Sequence, residues 1–333
     1  MVPLERNRPT DVILSADLLA QVVLAGGEPV HWLNGACFLT RRGGRTHGFH
    51  CARTDLVSSV AEHLTTRKDL TAKVLVGRGV QTVSTWAYPA NGLAAATGQH
   101  MAEAPLVVKP ARGSRSRGVS VGIRTPAELS EAWAHALAVD PEYVVVQPQV
   151  SGEELRVLVV AGRVIAAAVK RPPVILGDGE RNVAELIAAL DRRRAANRHL
   201  ARHPLAFDEV RAQRLADQGF DLTTVLPHGH RVALDESAAL SRGGTSHDVT
   251  DSVSEAHRAL ALEVVACFPG LGVAGIDLMT DDIRSGVDAT VLEVNSMPGL
   301  GLHHYPFEGT ARQVATDVVA ATFAQPHRTP SGR

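Results

Sequence analysis

The 333-residue sequence holds only three cysteines, Cys37, Cys51 and Cys267. Their odd number and wide spacing exclude a disulfide framework and a paired-cysteine metal site, so buried packing thiols in a reducing cytoplasm are expected. Net charge is nearly absent, at a formal −1. Without a basic field, neither nucleic acid nor an anionic membrane is a preferred partner. The most apolar stretch, 157–169, is broken by Gly162-Arg163 and predicts a hairpin rather than a membrane span. The first residues lack a signal-peptide pattern. No G-x-x-x-x-G-K-[ST] phosphate loop and no H-E-x-x-H zinc motif occurs, and the adjacent His303 and His304 cannot easily converge on one ion.

What is present is an ordinary globular composition, 45% hydrophobic and 21% charged, in a chain long enough for two or three lobes. Residues 11–27 predict a helix capped by Ser15 or Asp17, followed by a hairpin over 36–51, and together these make a small N-terminal lobe. Two helices, 55–64 and 68–76, come next. The small-residue segment 87–103 has no clear period and is expected as a loop. Thr125-Pro-Ala-Glu128 is a capping box that opens a helix. A helix over 182–202 carries Asp191-Arg-Arg-Arg, expected as a solvated face, and residues from 324 on are expected as a disordered tail. Strands alternate with helices, and many neighbouring strands look like hairpins. The fold class is therefore α+β with antiparallel sheets, not one doubly wound parallel sheet.

Hard oxygen ligands cluster late in the chain, in Ala274-Gly-Ile-Asp277 and Val291-Leu-Glu293-Val-Asn295-Ser296-Met-Pro298-Gly299. Side chains alternate along a strand, so Glu293 and Asn295 share a face, and Asp277 can meet them from the neighbouring strand. Two carboxylates and an amide oxygen leave coordination positions for water and phosphate, as in magnesium–nucleotide sites. Lys109 ends an apolar run and precedes a glycine- and serine-bearing hairpin with Gly113, Ser114 and Gly118, a lysine and a flap able to close over phosphates. Gln147 to Val150 ends another strand just before Glu154, where backbone and amide groups could pair with adenine and a carboxylate with ribose. Arg156 and Arg171 flank the Gly162 hairpin, and either guanidinium could hold a phosphoryl or carboxylate group.

Taken in order, these pieces resemble the ATP-grasp superfamily of carboxylate–amine ligases, in particular the ATP-grasp module of cyanophycin synthetases. Arg67-Lys68 and Val108-Lys109-Pro110 are similar to the two ATP-lysine segments. Arg171 to Gly179, Leu240-Ser-Arg-Gly243-Gly244-Thr245, Asp277, Glu293-Val-Asn295 and Pro298-Gly299 continue the pattern, which covers about 67–323. The resemblance implies two α+β lobes gripping ATP, a flap lobe over about 86–150 and a metal and substrate lobe over about 151–323, with the small lobe 1–66 in front. It also implies that Lys68, Lys109, Gly113, Ser114 and Gly118 contact ATP phosphates, Gln147 and Val150 adenine, and Glu154 ribose. Asp277, Glu293 and Asn295 would bind magnesium or manganese. Arg156 and Arg171 would stabilise the acyl phosphate and the tetrahedral intermediate, and Gly243, Gly244, Ser296, Gly299 and His303 would line the substrate site. The implied partners are a small carboxylate and a small amine, with a homo-oligomer by family habit. The implied reaction is amide or peptide bond formation with release of ADP and phosphate, an ATP-grasp kinase or a non-catalytic nucleotide-binding module being the alternatives. The sequence departs from the pattern at Arg67, at Arg112, Ser114 and Ser116 in the flap, and at Gly301, where an arginine is common. It contains no counterpart of the second ligase module of cyanophycin synthetases, so polymer synthesis is not implied.

Overall fold

A computed structural model describes residues 4–114, 116–285 and 289–325, so most of the tail expected to be disordered lies outside the described residues. Short alternating strands pair first. β1 (Glu5–Arg6), β2 (Val30–Trp32), β3 (Cys37–Arg42), β4 (Arg45–His50) and β5 (Arg53–Thr54) lie in that order across one sheet, antiparallel except for β1 beside β2. Helix α1 (Leu14–Ala25) buries Leu18, Leu19 and Val23 in a core with Trp32, Phe38 and Phe49. Its N-cap is Ile13, so neither Ser15 nor Asp17 caps it. Both already sit in the first turn, where their side chains find tertiary partners instead: Ser15 Oγ accepts from the Leu300 amide at 3.1 Å, and Asp17 is held by Arg8 and Arg198 at 2.6 Å.

Helices α2 (Ser59–Thr66) and α3 (Lys68–Gly77) lead to a four-stranded antiparallel sheet ordered β6-β9-β7-β8, from β6 (Trp86–Pro89), β7 (Leu106–Pro110), β8 (Ser120–Ile123) and β9 (Tyr143–Pro148). The segment expected as a loop therefore holds a strand and also α4 (Leu93–His100). That helix contacts the sheet through little more than Ala96 and His100, whose ring stacks on Trp86 at 3.8 Å, so its apolar residues show no period. Helix α5 (Pro126–Leu137), opened by the Thr125–Glu128 capping box, covers Leu106, Val108, Val144 and Val146 with Leu129 and Trp133. Alternation along β7 then turns Lys109 to the opposite face.

The largest sheet is antiparallel and ordered β14-β11-β10-β15-β16, from β10 (Glu153–Val160), β11 (Arg163–Arg171), β14 (Thr245–Asp248), β15 (Val273–Thr280) and β16 (Thr290–Asn295). One face presents Leu155, Val157, Ala167, Val169, Ala274, Ile276 and Leu278 to α8 (Glu255–Ala266) and to Ala61 and Leu75 of α2 and α3. The other face divides in two. Leu158, Val160 and Ala166 lie under α1 and α10 (Val314–Phe323), while Glu154, Arg156, Lys170 and Asp277 remain for the site. The short α9 (Gly301–His304) packs over β11 and β14.

Between β11 and β14 the chain builds a further small core that the sequence reading leaves unseparated. The two-stranded β12 (Val174–Leu176) and β13 (Arg231–Ala233) pack with α6 (Val183–Ala195) and α7 (Glu209–Asp217) through Ile175, Val183, Leu186, Leu215 and Val232. The charged end of α6 is not wholly a solvated face. Arg192 and Arg193 are exposed, but Arg194 is fully buried and donates to the carbonyls of His203, Leu240, Gly243 and Gly244. A guanidinium has several donors in a fixed fork, so it can satisfy loop carbonyls that no ladder reaches.

Candidate active site

Register assembles the charged cluster. Arg156 lies opposite Asp277, Glu154 opposite Lys170, and Asp277 opposite Glu293, with an irregularity in the β15–β16 ladder just after Asp277. Asp277 receives Arg156 Nε at 2.6 Å and Nη2 at 2.5 Å, Lys170 Nζ at 3.1 Å and Asn295 Nδ2 at 3.1 Å. Lys170 also pairs with Glu154. Burial alone would raise the Asp277 carboxyl, but Arg156 and Lys170 outweigh it and hold the group well below the usual carboxylate range. Burial likewise opposes the charges of Lys170 and Arg156, yet Asp277 keeps both above their ordinary values.

The other wall of the cleft brings cations. Lys68, at the start of α3, places Nζ 3.7 Å from Glu293 Oε1 and donates to the Gly113 carbonyl of the flap at 3.2 Å. Its own amide bonds the Ala111 carbonyl at 3.1 Å, so the first lysine segment and the flap are fastened together. Lys109 faces the same space. Burial pushes its ammonium down to about 8, Lys68 adds to that, and Glu293, Glu154 and Asp277 pull the other way. Lys68, Thr71, Thr85, Gln147, Leu292 and Glu293 line a narrow cleft there. Gln147 is buried and donates Nε2 to Thr85 Oγ1 at 2.7 Å, leaving its carbonyl oxygen for another partner.

Lys68, Lys109, Glu154, Arg156, Asp277, Glu293 and Asn295 are thus brought together. The flap residues are near them: Gly113 touches Lys68, Ser114 is exposed, and Gly118 is buried against Val139 and Pro110. Val150 is half-buried in the link between β9 and β10. His303 is buried, with Arg156 and Asp277 among the charges nearest its ring. Asp277 pairs with Glu293 in the β15–β16 register and accepts from Asn295, so two carboxylates and an amide oxygen of the kind a hard divalent cation takes lie on adjacent strands, with both Asp277 oxygens engaged by Arg156, Lys170 and Asn295.

Other expected site residues lie elsewhere. Arg171 follows Lys170, so alternation turns it to the opposite face, where it is half-exposed and donates to Glu153 at 3.1 Å. Gly243 and Gly244 are buried in the small core with both carbonyls taken by Arg194. Ser296 has the opposite parity to Asn295 and accepts from Arg53 Nη2 at 3.3 Å, and Gly299 is exposed with no close neighbour. Gly301, where the resemblance leads one to expect arginine, is packed so tightly that a Cβ would stand 2.7 Å from Leu14 Cδ2 and 2.9 Å from the His199 ring. The residue the sequence reading misses is Lys170. It ends an apolar strand as Lys109 does, and the same reasoning applied there would find it.

No protein-family model matches the chain. A cyanophycin synthetase from Nostoc sp. is 35% identical over 224 residues, which are 66% of this chain and 25% of that protein. A glutathione biosynthesis bifunctional protein from Mannheimia succiniciproducens is 26% identical over 78% of this chain and 35% of its own length. This chain therefore spans a quarter to about a third of the length of these curated relatives. The crystal structure of a bifunctional glutathione synthetase from Pasteurella multocida matches with a TM-score of 0.67 and 22% identity, over 94% of this chain and 43% of that one. The shared architecture is that of the ATP-grasp fold, and about two thirds of the chain is similar in sequence to cyanophycin synthetases.

Proposed function

We propose that the chain is an ATP-dependent carboxylate–amine ligase that forms an amide or peptide bond on amino acid or small peptide substrates through an acyl phosphate. The observation that carries this reading is the meeting of Lys68 and Lys109, from one wall of the cleft, with Asp277, Glu293 and Asn295 from the other. The two lysines bind and orient the triphosphate, with the flap at Gly113, Ser114 and Gly118 closing above it. Gln147 and Val150 receive adenine and Glu154 the ribose. Asp277, Glu293 and Asn295 would hold magnesium, or manganese in its place, which would supply positive charge to the phosphate oxygens. The substrate carboxylate attacks the γ-phosphate, and an amine then displaces phosphate from the acyl group. Arg156, anchored on Asp277, would neutralise charge on that acyl group, and a closed cleft makes its charge count for more than it would in water.

This reading is tested by ADP release over a panel of amino acids and dipeptides, with mass spectrometry of the products. A ligase gives an amide whose formation requires both an acid and an amine. A phosphorylated product that accumulates without an amine would instead mark a kinase, and absence of turnover with tight nucleotide binding would mark a regulatory module.

A further inference from the structure

A threonine hydroxyl has one proton to donate and two lone pairs with which to accept. Thr71, Thr82 and Thr85 all line the narrow cleft, and each directs its proton at a backbone carbonyl: Thr71 at Leu64 at 2.9 Å, Thr82 at Val291 at 2.8 Å and Thr85 at Val83 at 2.8 Å. What the three hydroxyls have left for another group is lone pairs.

Thr85 passes that polarity to Gln147. The Gln147 amide lies 2.7 Å from Thr85 Oγ1, and with the hydroxyl proton on the Val83 carbonyl the contact forms only with Nε2 donating. Turned the other way, the amide would set its oxygen against the lone pairs of Oγ1, or draw the proton to itself and leave Val83 without its Thr85 donor. Val83 is buried, where backbone acceptors rarely go unpaired. The hydrogen-bond network therefore decides which end of the amide is oxygen, and it places that oxygen at the end away from Thr85.

The fixed amide belongs to the cleft. Gln147 stands opposite Val107 in the β7–β9 register, two residues from the Lys109–Val145 pair, so it shares a face with Lys109 while Val144 and Val146 turn into the core under α5. Ala72 and Leu292 give the cleft apolar walls. An apolar slot that ends in a fixed acceptor suits a purine with an exocyclic amine at its six position. It opposes one with an oxygen there, because two acceptors would meet with no proton between them.

We propose that Thr85 is a positioning residue for base selection: by fixing the Gln147 amide it makes the site prefer a 6-aminopurine nucleotide to a 6-oxopurine one. This rests on the reading of the cleft as the ATP site, but its test is a binding measurement and needs no turnover. AMP-PNP and GMP-PNP are titrated by calorimetry, with magnesium, into the full chain, where AMP-PNP should bind more tightly. Thr85→Val keeps the shape but frees the amide to turn, so that preference should fall about fivefold or more, the scale of one hydrogen bond. Part of the fall should be a gain in GMP-PNP affinity, which a simple loss of packing would not produce. Thr85→Ser retains the hydroxyl and should retain the preference.

An unchanged preference in Thr85→Val, an equal loss in Thr85→Ser, or no preference in the unaltered protein would overturn the proposal. Should Thr85→Val not fold, Thr85→Ala removes the same hydroxyl and decides. Binding of neither nucleotide overturns this proposal together with the ATP reading, whereas AMP-PNP binding without amide product from any acid and amine pair rejects only the ligase.

Discussion

Arg156 and Asp277 face each other across directly paired strands, with two guanidinium N–H groups on the two carboxylate oxygens at 2.6 and 2.5 Å. Lys170 adds a second cation to the same carboxylate. Removing the charge by Asp277→Asn leaves both cations buried with only Glu154 to share, and uncompensated buried charge of this kind costs about 3–5 kcal/mol. The urea midpoint of Asp277→Asn should fall accordingly, with the m-value unchanged. Arg156→Lys should be milder in stability, because the ammonium still pairs, but it loses the bidentate geometry and with it most of the turnover.

Lys109 titrates in an unusual range for a lysine, at about 8, because it is buried beside Lys68. Only its charged form attracts phosphate, so nucleotide affinity should decline as pH rises through about 8, with up to one proton taken up on binding above that point. In Lys109→Arg the charge persists, and the decline over pH 7.5–9.5 should flatten. Calorimetry of AMP-PNP binding in two buffers of different ionisation heat checks both statements. For stability the sign is opposite. Between about 8 and the ordinary lysine value of 10.5, the unfolded chain holds a proton the folded chain has lost, so this group's contribution to stability rises with pH there.

Acid has a different target. Burial holds His303 at about 3 and His199 and His304 at about 4, against an ordinary value of 6.5. As pH falls below 6.5 the unfolded chain takes up protons that the folded chain refuses, so stability is lost progressively toward pH 4. By pH 5 His303 alone accounts for about 2 kcal/mol. Urea titrations at pH 7 and pH 5 should show this, and His304→Gln should reduce the pH dependence while leaving its direction intact.

Arg194 closes the small core by binding four carbonyls. Arg194→Met keeps much of the length but leaves those buried acceptors unpaired, at about 1–3 kcal/mol for each that water cannot reach. Hydrogen exchange should show amides of α6, α7 and residues 239–245 losing protection well before those of β10 and β15.

Much of the site was legible because strand parity is a strict rule. The parity of Glu293 and Asn295, and the position of Lys109 at the end of an apolar run, both follow from sequence, and the α+β class with antiparallel sheets follows from the spacing of hairpins. What failed did so where local pattern carries no information about a distant neighbour. The charged end of α6 looks solvated until the loop carbonyls that need Arg194 are in place. Helix α4 is hidden because alanines pack without a period. Arg171 is named and Lys170 missed because register, which decides the face, depends on pairing with β10 and β14.

The central claim is that Glu293, with Asp277 and Asn295, holds the cation of a nucleotide whose phosphates lie against Lys68 and Lys109. Its most direct measurement is ADP release by Glu293→Gln, an isosteric change at a partly exposed carboxylate, with magnesium, ATP and the best acid and amine pair from the panel. The account predicts a loss of at least about 100-fold in turnover, the scale on which single groups stabilising transition-state charge are felt, with the thermal unfolding temperature within a few degrees of the unaltered protein. Undiminished ADP release from that variant would contradict it.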